Sequence, residues 1–310
     1  MRRLFLGLDT SNYKTSAALF CPEDGSFCAC GKLLEVPAGS LGLRQSDALF
    51  QHIRRLPDRV QEACDRMNGE IAAIGYSSRP RDREDSYMPC FLAGECAAKC
   101  MGAAMRIPVY DFSHQQGHLA AAAFSVGKTD LLQIPFLAWH LSGGTTELLL
   151  VEPSETRLIR ETVIGGSTDI SAGQLIDRVG VALNMPFPAG VFVEQAALQS
   201  AKEDFFPVKT AEMRFSFSGV QNQYQAKCTK GESREDVCRF VLRTVAETIR
   251  KATFQARKQY PGLPVLISGG VSVCSIVQDA FAKDEAVWFA TGGLGGDNAV
   301  GTAILASMRG

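Results

Sequence analysis

Two histidines four residues apart, in His114-Gln115-Gln116-Gly117-His118, open the stretch Leu119-Ala120-Ala121-Ala122-Ala123-Phe124, whose alanines favour helix. At that spacing both imidazoles fall on one helix face and can reach one metal ion. The chain has four histidines in all, so two at ligand spacing are informative, although the spacing equally suits surface or core histidines. No glutamate follows the first histidine, so the HExxH pattern, in which that carboxylate serves a metallopeptidase as base, is absent. Asp297, in Gly292-Gly293-Leu294-Gly295-Gly296-Asp297-Asn298-Ala299, stands on a glycine-rich turn before a helical segment and is the natural third ligand. A plain N-cap would occupy the same place. Two imidazoles and one carboxylate with open positions suit iron(II) or zinc and leave room for a substrate oxygen.

Three small-residue turns between apolar strands and helical segments offer a second kind of chemistry. They are Asp9-Thr10-Ser11, Ser142-Gly143-Gly144-Thr145-Thr146 and Ser268-Gly269-Gly270-Val271-Ser272. Glycine lets backbone approach a ligand closely, and N–H groups at such turns attract phosphate. Each alone is an ordinary turn. Two SGG turns at equivalent places, with a hydroxyl-rich hairpin tip, point to phosphate binding. Neither GxxxxGK[ST] nor a strand-linked GxGxxG occurs, which excludes a P-loop and a Rossmann site.

The elements around these residues follow from periodicity. Leu4 to Phe20 predicts a hairpin, and Asp47 to Met67 a helix with Leu49, Ile53, Leu56 and Val60 on one side, bent or split by Pro57. Ile71 to Tyr76 predicts a strand before the charged loop Arg79 to Asp85, Phe91 to Met105 a buried helix, and Pro108 to Tyr110 a strand. A second strand–turn–strand unit begins at Phe136 and returns through Glu147 to Val151. The chain therefore reads as two α/β units of related design, 1–115 and 116–297, with the helix at 298–310 completing the first.

Composition narrows the class. The 310 residues are 46% hydrophobic and 21% charged, enough apolar material for two packed cores. Lys plus Arg number 32 against 33 Asp plus Glu, a formal charge of −1, which argues against a protein that coats nucleic acid by charge alone. Arg54, Arg55, Arg59 and Arg66 would be a local basic face, or simply a solvated one. No apolar run approaches the ~18 residues of a membrane span, and the start is too short in apolar residues for a signal peptide. Ten cysteines without a CxxC pair read as reduced, small hydrophobes of a cytoplasmic protein.

Taken in order, these segments resemble the TsaD (glycoprotease-like, Gcp) family. Leu6-Gly7-Leu8-Asp9-Thr10-Ser11 is similar to its G-[IL]-[DE]-T-S opening, and His52-Ile53-Arg54-Arg55 to H-V-R-K. His114 and His118 fall on H-x-E-G-H, and Asp297 on T-D-N-A. Leu141 to Thr146 resembles V-S-G-G-H-T, and Asp169 to Asp177 resembles D-D-A-A-G-E-A-F-D. Pro188-Ala189-Gly190 resembles P-G-G, Phe215-Ser216-Phe217-Ser218-Gly219 is F-S-F-S-G, and Ser268 to Ser272 matches A-G-G-V-[SA]. The departures are equally clear. Asn12, Tyr13 and Lys14 replace the cysteine and both acids of C-D-[DE]-T, the G-P-G-L loop is absent, and Thr145, Gln221 and Cys274 replace a histidine, a lysine and an asparagine.

The resemblance implies an α/β, two-domain actin-like fold (the ASKHA class of sugar kinases and Hsp70 chaperones) with a nucleotide cleft between the lobes. It implies transfer of a threonylcarbamoyl group from threonylcarbamoyl-adenylate to adenosine in tRNA. The implied metal ligands are His114, His118 and Asp297, for one iron or zinc ion. ATP, AMP or an acyl-adenylate would meet Trp139, His140, Leu141, Ser142, Gly143, Gly144, Asp177, Gly190, Gly269, Gly270 and Cys274. Asp9, Ser11 and Lys14 are the catalytic candidates at the altered tip. Partners would be tRNA and the proteins of the threonylcarbamoylation system, or a second copy, with no membrane. The altered tip keeps two alternatives open: a nucleotide- and metal-binding paralogue without transfer activity, and a carbamoyl or phosphoryl transferase with another acceptor.

Overall fold

The structure, a computed structural model, describes residues 2–11, 13–36, 42–83, 85–291 and 298–310. They fall into two compact units. The first takes the described residues of Met1–Ile134, Glu152–Glu161 and Gly293–Gly310; the second takes those of Pro135–Val151 and Thr162–Gly292.

The first unit is built on strands β1 (Arg3–Asp9), β2 (Lys14–Phe20), β3 (Phe27–Leu33), β4 (Glu70–Arg79) and β5 (Val109–Ser113), in the order β3-β2-β1-β4-β5. β1 and β2 form the expected antiparallel hairpin, with Asp9 opposite Ser16, while β4 and β5 continue in parallel. Alternation along β1 sends Leu4, Leu6 and Leu8 to one face. There they meet Leu56 and Ala63 of helix α1 (Gln45–Arg66) and Ala98 of helix α2 (Leu92–Met105). Helix α1 runs through Pro57 without interruption, where the sequence predicts a bend or break. Helix α2 buries only Ala93, Gly94, Ala98 and Gly102, and Cys96 and Cys100 are exposed; it is a surface helix rather than a buried one.

Close approach shapes the other face. A Cβ on Gly7 would lie 1.9 Å from the Ala299 carbonyl oxygen, and one on Gly301 would lie 1.8 Å from that of Gly117. Hydrogen side chains at those points seat the C-terminal helix, Asn298–Arg309, directly on β1 and against helix α3 (His114–Ser125). Helix α3 counts with the first unit, whose opening segment runs to Ile134.

The second unit repeats the plan. Strands β6 (Phe136–Leu141) and β7 (Thr146–Ser154) are an antiparallel hairpin, followed by β8 (Leu158–Ser167), β9 (Arg214–Phe215), β10 (Val265–Ser268) and β11 (Val287–Phe289). The order is β11-β10-β6-β7-β8-β9, so parallel strands again lie beside the first strand of the hairpin. Helices α4 (Ala172–Ala182), α5 (Gly190–Ala197), α6 (Ser218–Thr229), α7 (Arg234–Gln259) and α8 (Ser275–Asp279) enclose a core around Trp139, Phe215, Phe217 and Val241. The C-terminal helix is α9. No helix among the described residues is long and apolar enough to cross a membrane.

Candidate active site

Four segments of the first unit converge on one carboxylate. Asp9, at the end of β1, is 2% exposed. Its Oδ2 accepts hydrogen bonds from Ser77 Oγ of β4 (2.5 Å) and from Asn298 Nδ2 at the start of α9 (2.7 Å), and faces His114 Nδ1 of α3 at 2.8 Å. Oδ1 accepts the Ser11 N–H at 3.1 Å. Burial alone would raise this carboxyl, but His114 and the hydrogen bonds from Ser11 and Ser77 outweigh it and hold Asp9 below the usual carboxylate range.

An ionised carboxylate only accepts, so the contact with Asp9 calls for a proton on His114 Nδ1. His114 Nε2 faces His118 Nε2 at 3.0 Å, with the rings at 75°. Two Zn–N bonds of about 2.1 Å, opened to between a right and a tetrahedral angle, separate their nitrogens by about 3.0–3.4 Å. The pair therefore fits one ion, and a carboxylate behind the first imidazole is the usual support of such a ligand. Asp297, the third ligand expected, lies outside the described residues, and the described residues contain no group of three ligands that could hold a metal.

Helix α3 starts where it does because Ser113 caps it. Ser113 Oγ accepts the Gln116 N–H (3.0 Å) and Gln116 Oε1 accepts the Ser113 N–H (2.8 Å), a complete capping box. At the hairpin tip, Thr10 Oγ1 donates to the Cys90 carbonyl and accepts the Gly94 N–H, tying the turn to α2. Lys14 carries its stem across Gly31 of β3: a Cβ on that glycine would lie 2.4 Å from Lys14 Cε. Asn12 lies outside the described residues.

The glycine turns of the second unit line a cavity of about 280 Å³, bordered by Gly143, Asp177, Gly190, Gly270, Val273 and Cys274. A Cβ at Gly143, Gly144, Gly190 or Gly270 would meet nothing within 4 Å, so backbone there borders open space. Gly269 is different: its φ is +100°, and a Cβ would sit 2.3 Å from the Leu141 carbonyl oxygen. Ser142 Oγ accepts the Thr145 N–H (3.0 Å), and Ser171, the cap of α4, donates to the Gly143 carbonyl (2.7 Å). Asp177 accepts the Ala189 N–H (2.8 Å), fixing the start of α5.

Other expected nucleotide contacts lie deeper. Trp139 is fully buried, donating Nε1–H to Thr253 Oγ1 at 2.8 Å, and Leu141 is buried beside it. His140 is partly buried. Cys274 faces the cavity but is 6% exposed, and burial pushes its thiol up to about 11. Asp169 organises the Phe215–Gly219 segment, accepting Ser216 Oγ–H (2.5 Å) and the N–H groups of Phe217 and Ser218 (2.9 Å each). Sequence reasoning missed Ser77 and Asn298. Ser77 could have been found as a small hydroxyl ending an apolar strand, and Asn298 as the neighbour of Asp297. Of the arginines on α1, Arg55 pairs with Glu35 (2.6 Å), while Arg59 and Arg66 share Glu62, so two carboxylates meet three of the four.

A model of the family described as TsaD, tRNA N6-adenosine threonylcarbamoyltransferase, matches residues 44–301. The tRNA N6-adenosine threonylcarbamoyltransferase of Streptococcus equi subsp. zooepidemicus (strain MGCS10565) is 34% identical over 231 residues, 70% of this chain and 66% of that protein's length, just under two thirds. That of Streptococcus pneumoniae (strain Taiwan19F-14) is 32% identical over 296 residues, 91% of this chain and 84% of that one. Among solved structures, a ROK family glucokinase from Streptomyces griseus in complex with glucose and AMPPNP is similar over 98% of this chain and 99% of its own, with a TM-score of 0.55 and 15% identity. At that identity the likeness concerns the fold, which is the actin-like one expected.

Proposed function

The chain belongs to the tRNA N6-adenosine threonylcarbamoyltransferase family, and from that premise we propose that it transfers a threonylcarbamoyl group from threonylcarbamoyl-adenylate to an adenosine of tRNA. The observation that carries this reading is the imidazole pair, its Nε2 atoms 3.0 Å apart, with Asp9 behind His114. His114 and His118, with Asp297 as the ligand the family resemblance adds, would hold one iron or zinc ion, which supplies a Lewis acid for the carbamoyl carbonyl.

In the reaction the adenosine amine forms a bond to the carbamoyl carbon, the bond from that carbon to the phosphate oxygen breaks, and AMP leaves. One amine proton passes to solvent or to the departing phosphate. Asp9 and Asn298 both approach His114 Nδ1, at 2.8 and 2.6 Å, and hold the ring from one side, while Ser77 fixes Asp9 in turn. The glycine-lined cavity receives the AMP part, with bare backbone at Gly143, Gly144 and Gly270 open to phosphate, and Asp177 holding the Gly190 turn beside it. Positioning of this kind supplies rate without covalent help from the protein. The protein works on tRNA with partners of the threonylcarbamoylation system or as a pair of copies, in the cytoplasm.

The altered tip favours a second reading, a nucleotide-binding paralogue without transfer. Tyr13 and Lys14 stand where the family has acids, and the Lys14 stem is laid over Gly31. Incubating the metal-loaded protein with threonylcarbamoyl-adenylate and unmodified tRNA, with and without candidate partner proteins, separates the two. Modified adenosine that is lost in His114→Ala supports transfer. Binding of an AMP analogue with no product under any combination supports the paralogue.

A further inference from the structure

Building on the reading of His114 and His118 as ligands of one ion, we propose that Glu161 is a positioning residue for that imidazole pair, tying the first turn of α3 and the loop after β4 to a single carboxylate oxygen. Glu161 lies on the part of β8 that belongs to the first unit and is 8% exposed. Its Oε1 accepts two hydrogen bonds, from Ser113 Oγ at 2.6 Å and from the Asp82 N–H at 3.0 Å.

Ser113 is the cap that sets where α3 begins, and His114 is the first residue of that helix. The same strand grips the turn a second time, because Gln116 Nε2 donates to the Ile159 carbonyl at 2.6 Å. His118 follows one turn later, so a rotation of the capped turn would part its Nε2 from that of His114. On the other side of the carboxylate, Asp82 meets Arg157 at 3.4 Å, and Asp111 meets Arg79 at 2.9 Å and Arg157 at 3.3 Å. This ion-paired loop stands where the family resemblance places G-P-G-L. Helix start and loop thus share one anchor.

The second oxygen argues against simple packing as the reason for this residue. Glu161 Oε2 is buried and has no hydrogen-bond partner among the described residues. An unmatched buried acceptor is unfavourable, and an apolar side chain of the same size would avoid it. The Oε1 contacts are what an apolar replacement would lose. Burial pushes the Glu161 carboxyl up.

The test uses the full chain with 15N-labelled histidine, where four imidazoles give a sparse spectrum. In metal-free protein the His114 Nδ1 proton, held by Asp9, is expected to exchange slowly. Glu161→Ala is expected to speed that exchange by about tenfold or more, whereas Glu161→Gln, which retains an acceptor oxygen, stays within about threefold of the parent. Leu56→Ala, a core truncation on the opposite face of the sheet, lowers Tm without moving this proton. An unchanged signal in Glu161→Ala, equal loss in Leu56→Ala, or a Glu161→Gln variant as impaired as Glu161→Ala overturns the proposal. Zinc titration with a competing chelator gives the second readout, with affinity expected to fall about 10–100-fold in Glu161→Ala. If the parent takes up neither zinc nor iron, the catalytic reading fails, and the imidazole proton still decides the role of Glu161.

Discussion

The Asp9 cluster and the glycine turns occupy matching hairpins of the two units, yet they are made of opposite materials. At the end of β1 the functional groups are side chains bonded to one another, Asp9, Ser77 and Asn298 buried and His114 partly so. At the end of β6 they are bare backbone at Gly143 and Gly144, facing open space, with the large side chains Trp139 and Leu141 turned into the core. One fold plan can therefore present fixed side-chain donors or exposed peptide groups. Which it presents depends on whether the turn residues carry a Cβ and on what packs behind them. The first arrangement suits holding an ion or orienting a proton, the second suits a phosphate that needs close backbone approach.

The largest effect is expected in the side-chain cluster. His114→Ala should lower transfer roughly a thousandfold, several kcal/mol at 1.36 kcal/mol per tenfold, read as modified adenosine by mass spectrometry. A loss of less than tenfold would break the comparison, because the cluster would then be structural. The glycine region predicts a split within one turn. Gly269→Ala, at φ +100° and against the Leu141 carbonyl, should destabilise the protein by about 3 kcal/mol in urea unfolding. Gly270→Ala should leave stability unchanged and weaken an AMP analogue about tenfold by calorimetry. Equal behaviour of the two would mean that the turn is not a binding surface.

Acid sharpens the contrast from another side. His52 of α1 is fully buried, bonded to Thr15 Oγ1 at 2.8 Å, and burial lowers its pKa from 6.5 to about 4. Between those values the unfolded chain binds a proton that the folded one refuses, so stability rises with pH across the window. Below it, about 3 kcal/mol of the stability present above pH 6.5 is lost. His52→Asn should flatten that part of the urea-midpoint profile against pH; an unchanged slope would show that His52 does not titrate in this way. Back in the side-chain cluster, Asp9→Asn should weaken zinc about 10–100-fold while His114 and His118 remain. Unaltered affinity would show that Asp9 does not orient the ligand.

The sequence alone determined the local elements and the family. The continuous apolar run from Leu4 to Leu8 suits a strand covered on both faces, and SGG after an apolar strand suits a turn. Both recur in the structure as β1, β6 and β10 with their turns. The four-residue spacing of His114 and His118 places them on one helix face wherever that helix goes. Tertiary structure decided the rest. Asp9 and Asn298 are 289 positions apart, and no local rule joins them. They meet because hydrogen side chains at Gly7, Gly117 and Gly301 let α9 lie against β1 and α3 at backbone distance. Glu161 and Ser113 meet for a similar reason, since residues 152–161 pack with the first unit although the second unit surrounds them in sequence. Periodicity reports which way a residue faces within its own element. What it faces depends on the closest approach of elements remote in the chain, which is set by shape and volume rather than by local pattern.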